Sequence, residues 1–230
     1  MIDLYTWTTP NGYKVSILLE ELGVPYTVHN INIGEGDQFD PDYLKISPNN
    51  KMPAIVDQDG PGGQPYALFE SGAIMMYLAE KYGKFWPQSH PERYETIKWL
   101  MWQMGGFGPM LGQAHHFRRY APEPIQYAID RYTNEAGRLY NVLNKRLGET
   151  QYLAGSDYSI ADMATFPWSR SIERQGHSFD DFPNVKRWFE AIDGRPAVQR
   201  GLLVPDVKSE AELSDKAREM MFGSAQYEKR

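Results

Sequence analysis

The chain has no cysteine anywhere in its 230 residues, which excludes structural disulfides, thiolate metal centres and any redox or nucleophilic thiol of its own. Thiol chemistry performed here would need a thiol brought in by a ligand. Long apolar runs are also missing: no stretch approaches the roughly 18 residues of a membrane span. The opening residues MIDLYTW lack the basic region and extended apolar segment of a secretory signal. The expectation is a soluble, cytoplasmic protein with no membrane partner. Positive charge is not in excess either, because the formal net charge is −6 and the basic residues are scattered among acidic ones. Nothing resembles the footprint of a phosphate backbone, and nucleic acid is not an expected partner. His115 and His116 are adjacent and so diverge by about 100° on a helix, and neither has a carboxylate at i+4. No metal is expected, and no internal repeat is visible.

What is present is a composition, 41% hydrophobic with 13% aromatic, that supports a packed core. The first third alternates between two periods. IDLYTW reads as a strand, and Asn11 to Leu22 as a helix with Val15, Leu18, Leu19 and Leu22 on one side. Tyr26 to Ile33 alternates as a strand, and a short helix follows around Asp42 to Ile46. PAIVD and YALFE then flank the turn DGPGGQP, and a helix runs from Ser71 to Tyr82. From Pro91 to Leu203 no stretch reads as a strand, while Ile125, Ala128, Ile129, Tyr132, Ala136, Leu139, Leu143 and Leu147 recur at helical spacing. Ser159 and Asp162 form the reciprocal capping pattern of a helix start. The expected division is an α/β domain over 1–84, an all-helical domain over 91–204 and a charged tail over 205–230 with little core of its own.

Three junctions could carry chemistry. In TTPNG a strand passes into a helix with Thr9 at the N-cap, Pro10 at N1 and Asn11 at N2, which leaves an anion-favouring helix terminus. In NKMPAIVD, Met52 precedes a proline that opens a strand. Read as trans, Pro53 is an ordinary strand start; read as cis, it turns the backbone N–H and C=O of Met52 out of the sheet. In FESGAI, Glu70 ends a strand and Ser71 begins a helix. Ser71 is either a plain N-cap or a donor to a ligand carboxylate, with Glu70 beside it able to take an ammonium.

Together TTPNG, SPNNKMPAIVD and LFESGAIMMYLAEKYG resemble the cytosolic glutathione transferases, and GGFGPMLGQAHHF and YNVLNKRL extend the likeness toward the bacterial Nu class of disulfide-bond reductases. The resemblance implies a thioredoxin-like N-terminal α/β domain followed by an all-α domain, with glutathione as cosubstrate. It places Thr9 and Asn11 at the glutathione sulfur as the catalytic pair. Met52, ahead of a cis Pro53, falls at the cysteinyl backbone, Glu70 and Ser71 at the γ-glutamyl group, and Gln38 and Lys51 near the glycyl carboxylate. Arg131 would reach a neighbouring subunit's site in a homodimer, or else lie in a surface ion pair. Tyr5 is the alternative sulfur partner, although its place within a strand favours packing. The implied activity is reduction of a small or peptidic disulfide. Conjugation of electrophiles or reduction of organic peroxides is the alternative, and a non-catalytic binding module is a further one.

Overall fold

The computed structural model describes residues 1–207 and 213–228. It divides into two compact units, one of Met1–Met75 with the described residues from Arg200 onward, the other of Met76–Gln199. The remaining tail positions lie outside the described residues.

The first unit contains β1 (Ile2–Thr6), α1 (Pro10–Leu22), β2 (Tyr26–Asn30), α2 (Pro41–Ile46), β3 (Ala54–Asp57) and β4 (Tyr66–Phe69), after which α3 (Ser71–Tyr82) begins. The sheet order is β2-β1-β3-β4, with β1 parallel to β2 and antiparallel to β3, and β3 antiparallel to β4. The element order is the one that the alternating periods predicted, and the sheet is the thioredoxin-like α/β arrangement that the family resemblance implied. In β1 the period of two is expressed as Ile2, Leu4 and Thr6 fully buried, with Asp3 and Tyr5 between them half-buried. Helix α1 buries Val15, Ile17, Leu18, Leu19 and Leu22. Each such side chain contributes about 1.5–3 kcal/mol by leaving water, so Leu18→Ala would cost about 2–5 kcal/mol once the cavity is included.

The second unit is helical. Its elements include α4 (His90–Trp102), α5 (Gly108–Arg119), α6 (Gln126–Glu149), α7 (Ile160–Ser169) and α8 (Pro183–Asp193), and a π-helical turn over Gln103–Phe107 joins α4 to α5. The α6 stripe is buried at Ala136, Leu139, Tyr140, Leu143 and Leu147, but its first turn is open, with Ile125 and Tyr127 exposed. At the start of α7 the expected capping box is present in both directions. The Asp162 carboxyl is fully buried and accepts from Leu153 N at 2.9 Å, Ser159 N at 3.0 Å and Trp188 Nε1 at 2.9 Å. It therefore ties the loop before α7 and the side of α8 to one helix end.

Helices α9 (Pro196–Gly201) and α10 (Asp215–Phe222) complete the described helices. Although the tail lacks large aliphatics after Leu213, α10 forms, capped by Ser214 accepting from Ala217 N at 3.1 Å. Its buried contacts are small: Ala217 is 6% exposed and Ala225, just beyond it, 5%. Among the described residues, no helix is long and apolar enough to cross a membrane.

Candidate functional site

Thr9 holds the N-cap of α1 in extended conformation, and Pro10 occupies the first turn, as the sequence order required. The Thr9 hydroxyl oxygen accepts from Gly12 N at 3.1 Å, while its proton is donated to Met52 Sδ at 3.6 Å. One hydroxyl thus closes the helix end and reaches across to the loop before β3. Gly12 is required by close approach, since a Cβ there would meet the Trp7 carbonyl oxygen at 2.3 Å and Thr6 Oγ1 at 2.6 Å. Asn11 follows in the first turn and is half-buried.

The Met52–Pro53 peptide bond is cis. Met52 packs against a small core of Ile31, Tyr43 and Ala54. The Lys51 carbonyl just before it accepts from Tyr43 Oη at 2.8 Å and Ser47 Oγ at 2.7 Å, which fixes the approach to the strand. Across the sheet, Glu70 adopts φ +70, a left-handed conformation uncommon for a side chain of its kind, and its carbonyl accepts from Ile74 N at 2.9 Å. Such strain, about 1–3 kcal/mol, is concentrated at functional positions. Ser71 is the first residue of α3 and buried, so the cap position belongs to Glu70 rather than to Ser71.

Sequence reasoning missed Lys14, which is 1% exposed on α1. Burial pushes its ammonium down to about 7, against the opposing pull of the Glu70 charge. The signal was available: Lys14 stands one turn ahead of Ile17 and Leu18, on the same buried face.

Gln38 is 2% exposed, and its amide nitrogen donates to Ile33 O at 3.2 Å and to Met220 O at 3.3 Å. Lys51 donates through Nζ to Gln226 Oε1 at 2.8 Å. Both side chains are thus engaged by the C-terminal segment of the same unit. Tyr5 stacks on His29 with ring centres 4.6 Å apart and lines a cavity of about 610 Å³ with Asn30, Phe39 and Tyr43. Burial, then the Asp3 charge, raises its phenol above the ordinary value, the wrong direction for sharing a proton with a thiolate.

In the second unit, Arg131 is exposed and borders a cavity of about 630 Å³ with Met110, Tyr127 and Arg138. Its neighbour Glu135 pairs with Arg138 at 2.7 Å. Burial, followed by the charges of Arg174 and Arg119, pushes His115 down to about 4, so it is neutral at physiological pH. Its ring lies 5.0 Å from that of Tyr120. No group of three or more potential metal ligands occurs among the described residues.

Comparison with known proteins fits this geometry. Residues 1–80 match the model of the glutathione S-transferase N-terminal domain, and residues 109–196 that of the glutathione S-transferase C-terminal domain. The chain belongs to the glutathione S-transferase family. Among curated relatives it is 52% identical to the disulfide-bond oxidoreductase YfcG of Escherichia coli (strain K12), over 88% of this chain and 95% of that one. A glutathione transferase family member from Pseudomonas fluorescens pf-5, solved with two glutathione bound, is 51% identical over 87% of this chain and 92% of its own, with a TM-score of 0.84. A glutathione transferase from Pseudomonas putida, solved with one glutathione disulfide per subunit, is 47% identical over 89% of this chain and 91% of its own, with a TM-score of 0.85.

Proposed function

We propose that this chain is a glutathione-dependent disulfide-bond reductase in which the thiolate of bound glutathione carries out thiol–disulfide exchange. One observation carries the reading. At the β1–α1 junction, where a self-sufficient thioredoxin-like reductase keeps Cys-x-x-Cys, this chain reads Thr8-Thr9-Pro10-Asn11, and the Thr9 hydroxyl already donates to a sulfur, that of Met52. A thiolate is a far stronger acceptor than a thioether and would take that donor over. The relative named a disulfide-bond oxidoreductase and the neighbours holding two glutathiones or glutathione disulfide support the same chemistry.

Bringing a thiol from about 8.5 to about 6.5 requires roughly 2.7 kcal/mol of preference for the anion. One hydrogen bond to a charged acceptor contributes about 1.5–3 kcal/mol and the helix terminus about 0.3–1 kcal/mol. Thr9, Asn11 and the start of α1 together meet that requirement. A thiol poised near ambient pH balances nucleophilicity against leaving ability, which suits exchange. The bound thiolate attacks one sulfur of the substrate disulfide, forming a mixed disulfide and expelling one substrate thiolate. A second glutathione thiolate then attacks the glutathione sulfur of that mixed disulfide. Glutathione disulfide forms, and the other substrate thiolate leaves and is protonated.

In this reading Glu70 takes the γ-glutamyl ammonium, while Ser71 takes the γ-glutamyl carboxylate. The backbone of Met52, turned by Pro53, pairs with the cysteinyl residue, and Gln38 and Lys51 meet the glycyl carboxylate. The functional division is a glutathione-binding domain over 1–84, a helical domain over 91–204 and a tail over 205–230. Arg131 reaches the partner's site in a homodimer, a reading that a monomer in sedimentation velocity would remove. Because the reaction consumes reduced glutathione, it belongs in the cytoplasm, where that pool is kept reducing. The test is a glutathione-coupled disulfide reduction assay run beside an aryl-halide conjugation assay. Turnover of the disulfide well above that of the halide is expected, and the reverse order would overturn the proposal.

A further inference from the structure

The tail beyond Ser214 makes contacts that a draped, non-functional extension would not need. The Met220 carbonyl accepts from the side-chain amides of both Gln38 and Gln226, and Gln226 accepts from the Lys51 ammonium at 2.8 Å. The result is a continuous chain of hydrogen bonds from Gln38 through the tail to Lys51. The other amide atom of Gln38, Oε1, is buried and has no hydrogen-bond partner among the described residues, although the residue is only 2% exposed. The tail is anchored at its other end as well, by Lys216 paired with Glu35, and Met220 lies over Gly36, which has φ +98. The glycine-rich loop therefore offers α10 a surface free of side chains at Gly34 and Gly36, against which Ala217 and Met220 pack.

We infer that the C-terminal segment, through Gln226 and the Met220 carbonyl, competes with the glycyl carboxylate of glutathione for Lys51 and Gln38, and so sets the enzyme's affinity for that ligand. The inference rests on the assignment of Lys51 and Gln38 to the glycyl end in the proposed function. Its physical basis is that both donors are already satisfied by neutral tail acceptors. A carboxylate binds an ammonium more strongly than an amide oxygen does, so the ligand prevails, but the lost tail contacts are subtracted from its affinity. A shorter γ-glutamyl thiol without the glycyl residue leaves the tail in place and escapes this subtraction. The segment thus narrows the difference in affinity between glutathione and γ-glutamylcysteine.

The test uses the full-length protein and calorimetry with S-methylglutathione, which binds without exchange. Gln226→Ala should tighten binding roughly threefold or more, given the strength of a hydrogen bond to a charged group at a partly exposed site. Gln226→Glu should weaken it roughly tenfold, with the loss relieved by salt. S-methyl-γ-glutamylcysteine should respond less to either change. The absence of cysteine allows a single spin label through Tyr227→Cys, at a position 83% exposed, and S-methylglutathione should increase the label's mobility. Weaker or unchanged binding by Gln226→Ala, or equal tightening of both ligands, would overturn the inference. Lys51→Ala separates the two levels of argument. If it leaves S-methylglutathione affinity unchanged, the assignment of Lys51 to the ligand fails. If it weakens binding while Gln226→Ala changes nothing, only the competition fails.

Discussion

Replacing Lys14 with methionine should make the protein more stable, and by an amount that depends on pH. The side chain is 1% exposed, and its ammonium is pushed from an ordinary value of 10.5 down to about 7 by burial, with Glu70 pulling the other way. Each pH unit of that displacement corresponds to about 1.4 kcal/mol, so the charged form costs roughly 5 kcal/mol in the folded state relative to the unfolded chain. The sign follows from proton counts. Between about pH 7 and 10.5 the unfolded lysine holds a proton that the folded one does not, so stability rises with pH across that window and is lost as pH falls through it. Below about 7 both states are protonated and the full cost remains. Lys14→Met preserves the length and apolar stem while removing the charge. Urea unfolding at pH 6.5, 8 and 9.5 should show the variant ahead by at least about 2 kcal/mol at the lowest pH, with the gap closing as pH rises. The phenols of Tyr26 and Tyr43, held above their ordinary range by burial, are present in both proteins and cancel in the difference. A gap of the same size at all three pH values would refute the assignment of the cost to a buried ammonium.

Three further outcomes are expected. Glu70→Ala should raise the dissociation constant for glutathione at least tenfold, a loss above about 1.4 kcal/mol, and unchanged binding by calorimetry would remove the γ-glutamyl assignment. Asn11→Ala should slow disulfide exchange roughly ten- to hundredfold and shift the absorbance titration of the bound thiolate to higher pH, and identical titrations in the two proteins would sink Asn11 as a thiolate partner. Asp162→Ala leaves the N–H groups of Leu153, Ser159 and Trp188 without their acceptor and should destabilise the protein by about 3–5 kcal/mol in urea, whereas a loss under about 1 kcal/mol would show the donors re-paired.

The order of strands and helices was legible because the two periods alternate cleanly over the first 82 residues, and because Ser159 and Asp162 announce the start of α7 in both directions. The cap order Thr9, Pro10, Asn11 was equally legible, since each residue type has a local reason for its position. What was not legible rests on contacts distant in sequence. Helix α10 has no large aliphatic stripe, and its anchorage is Ala217, Met220 and the Lys216–Glu35 pair set against a glycine-rich loop more than 180 positions earlier. Gln38 could be placed near a ligand or in solvent from its sequence, but not beneath the carbonyl of Met220. The spacing of Lys14 on the buried face of α1 was outweighed by its residue type, because a lysine on an apolar helix face is read as reaching out to water.

The junction from β1 into α1, with threonine and asparagine standing where a reductase of its own thiols keeps cysteines, also decides where oxidative damage falls. A protein cysteine that advances to sulfinic or sulfonic acid retires the whole polypeptide, since those stages are not reversed by ordinary thiols. Here the sulfur that meets the oxidant belongs to a replaceable tripeptide. In the proposed site an over-oxidised glutathione would dissociate, a fresh one would take its place beside Thr9, and the catalyst would outlive the lesion.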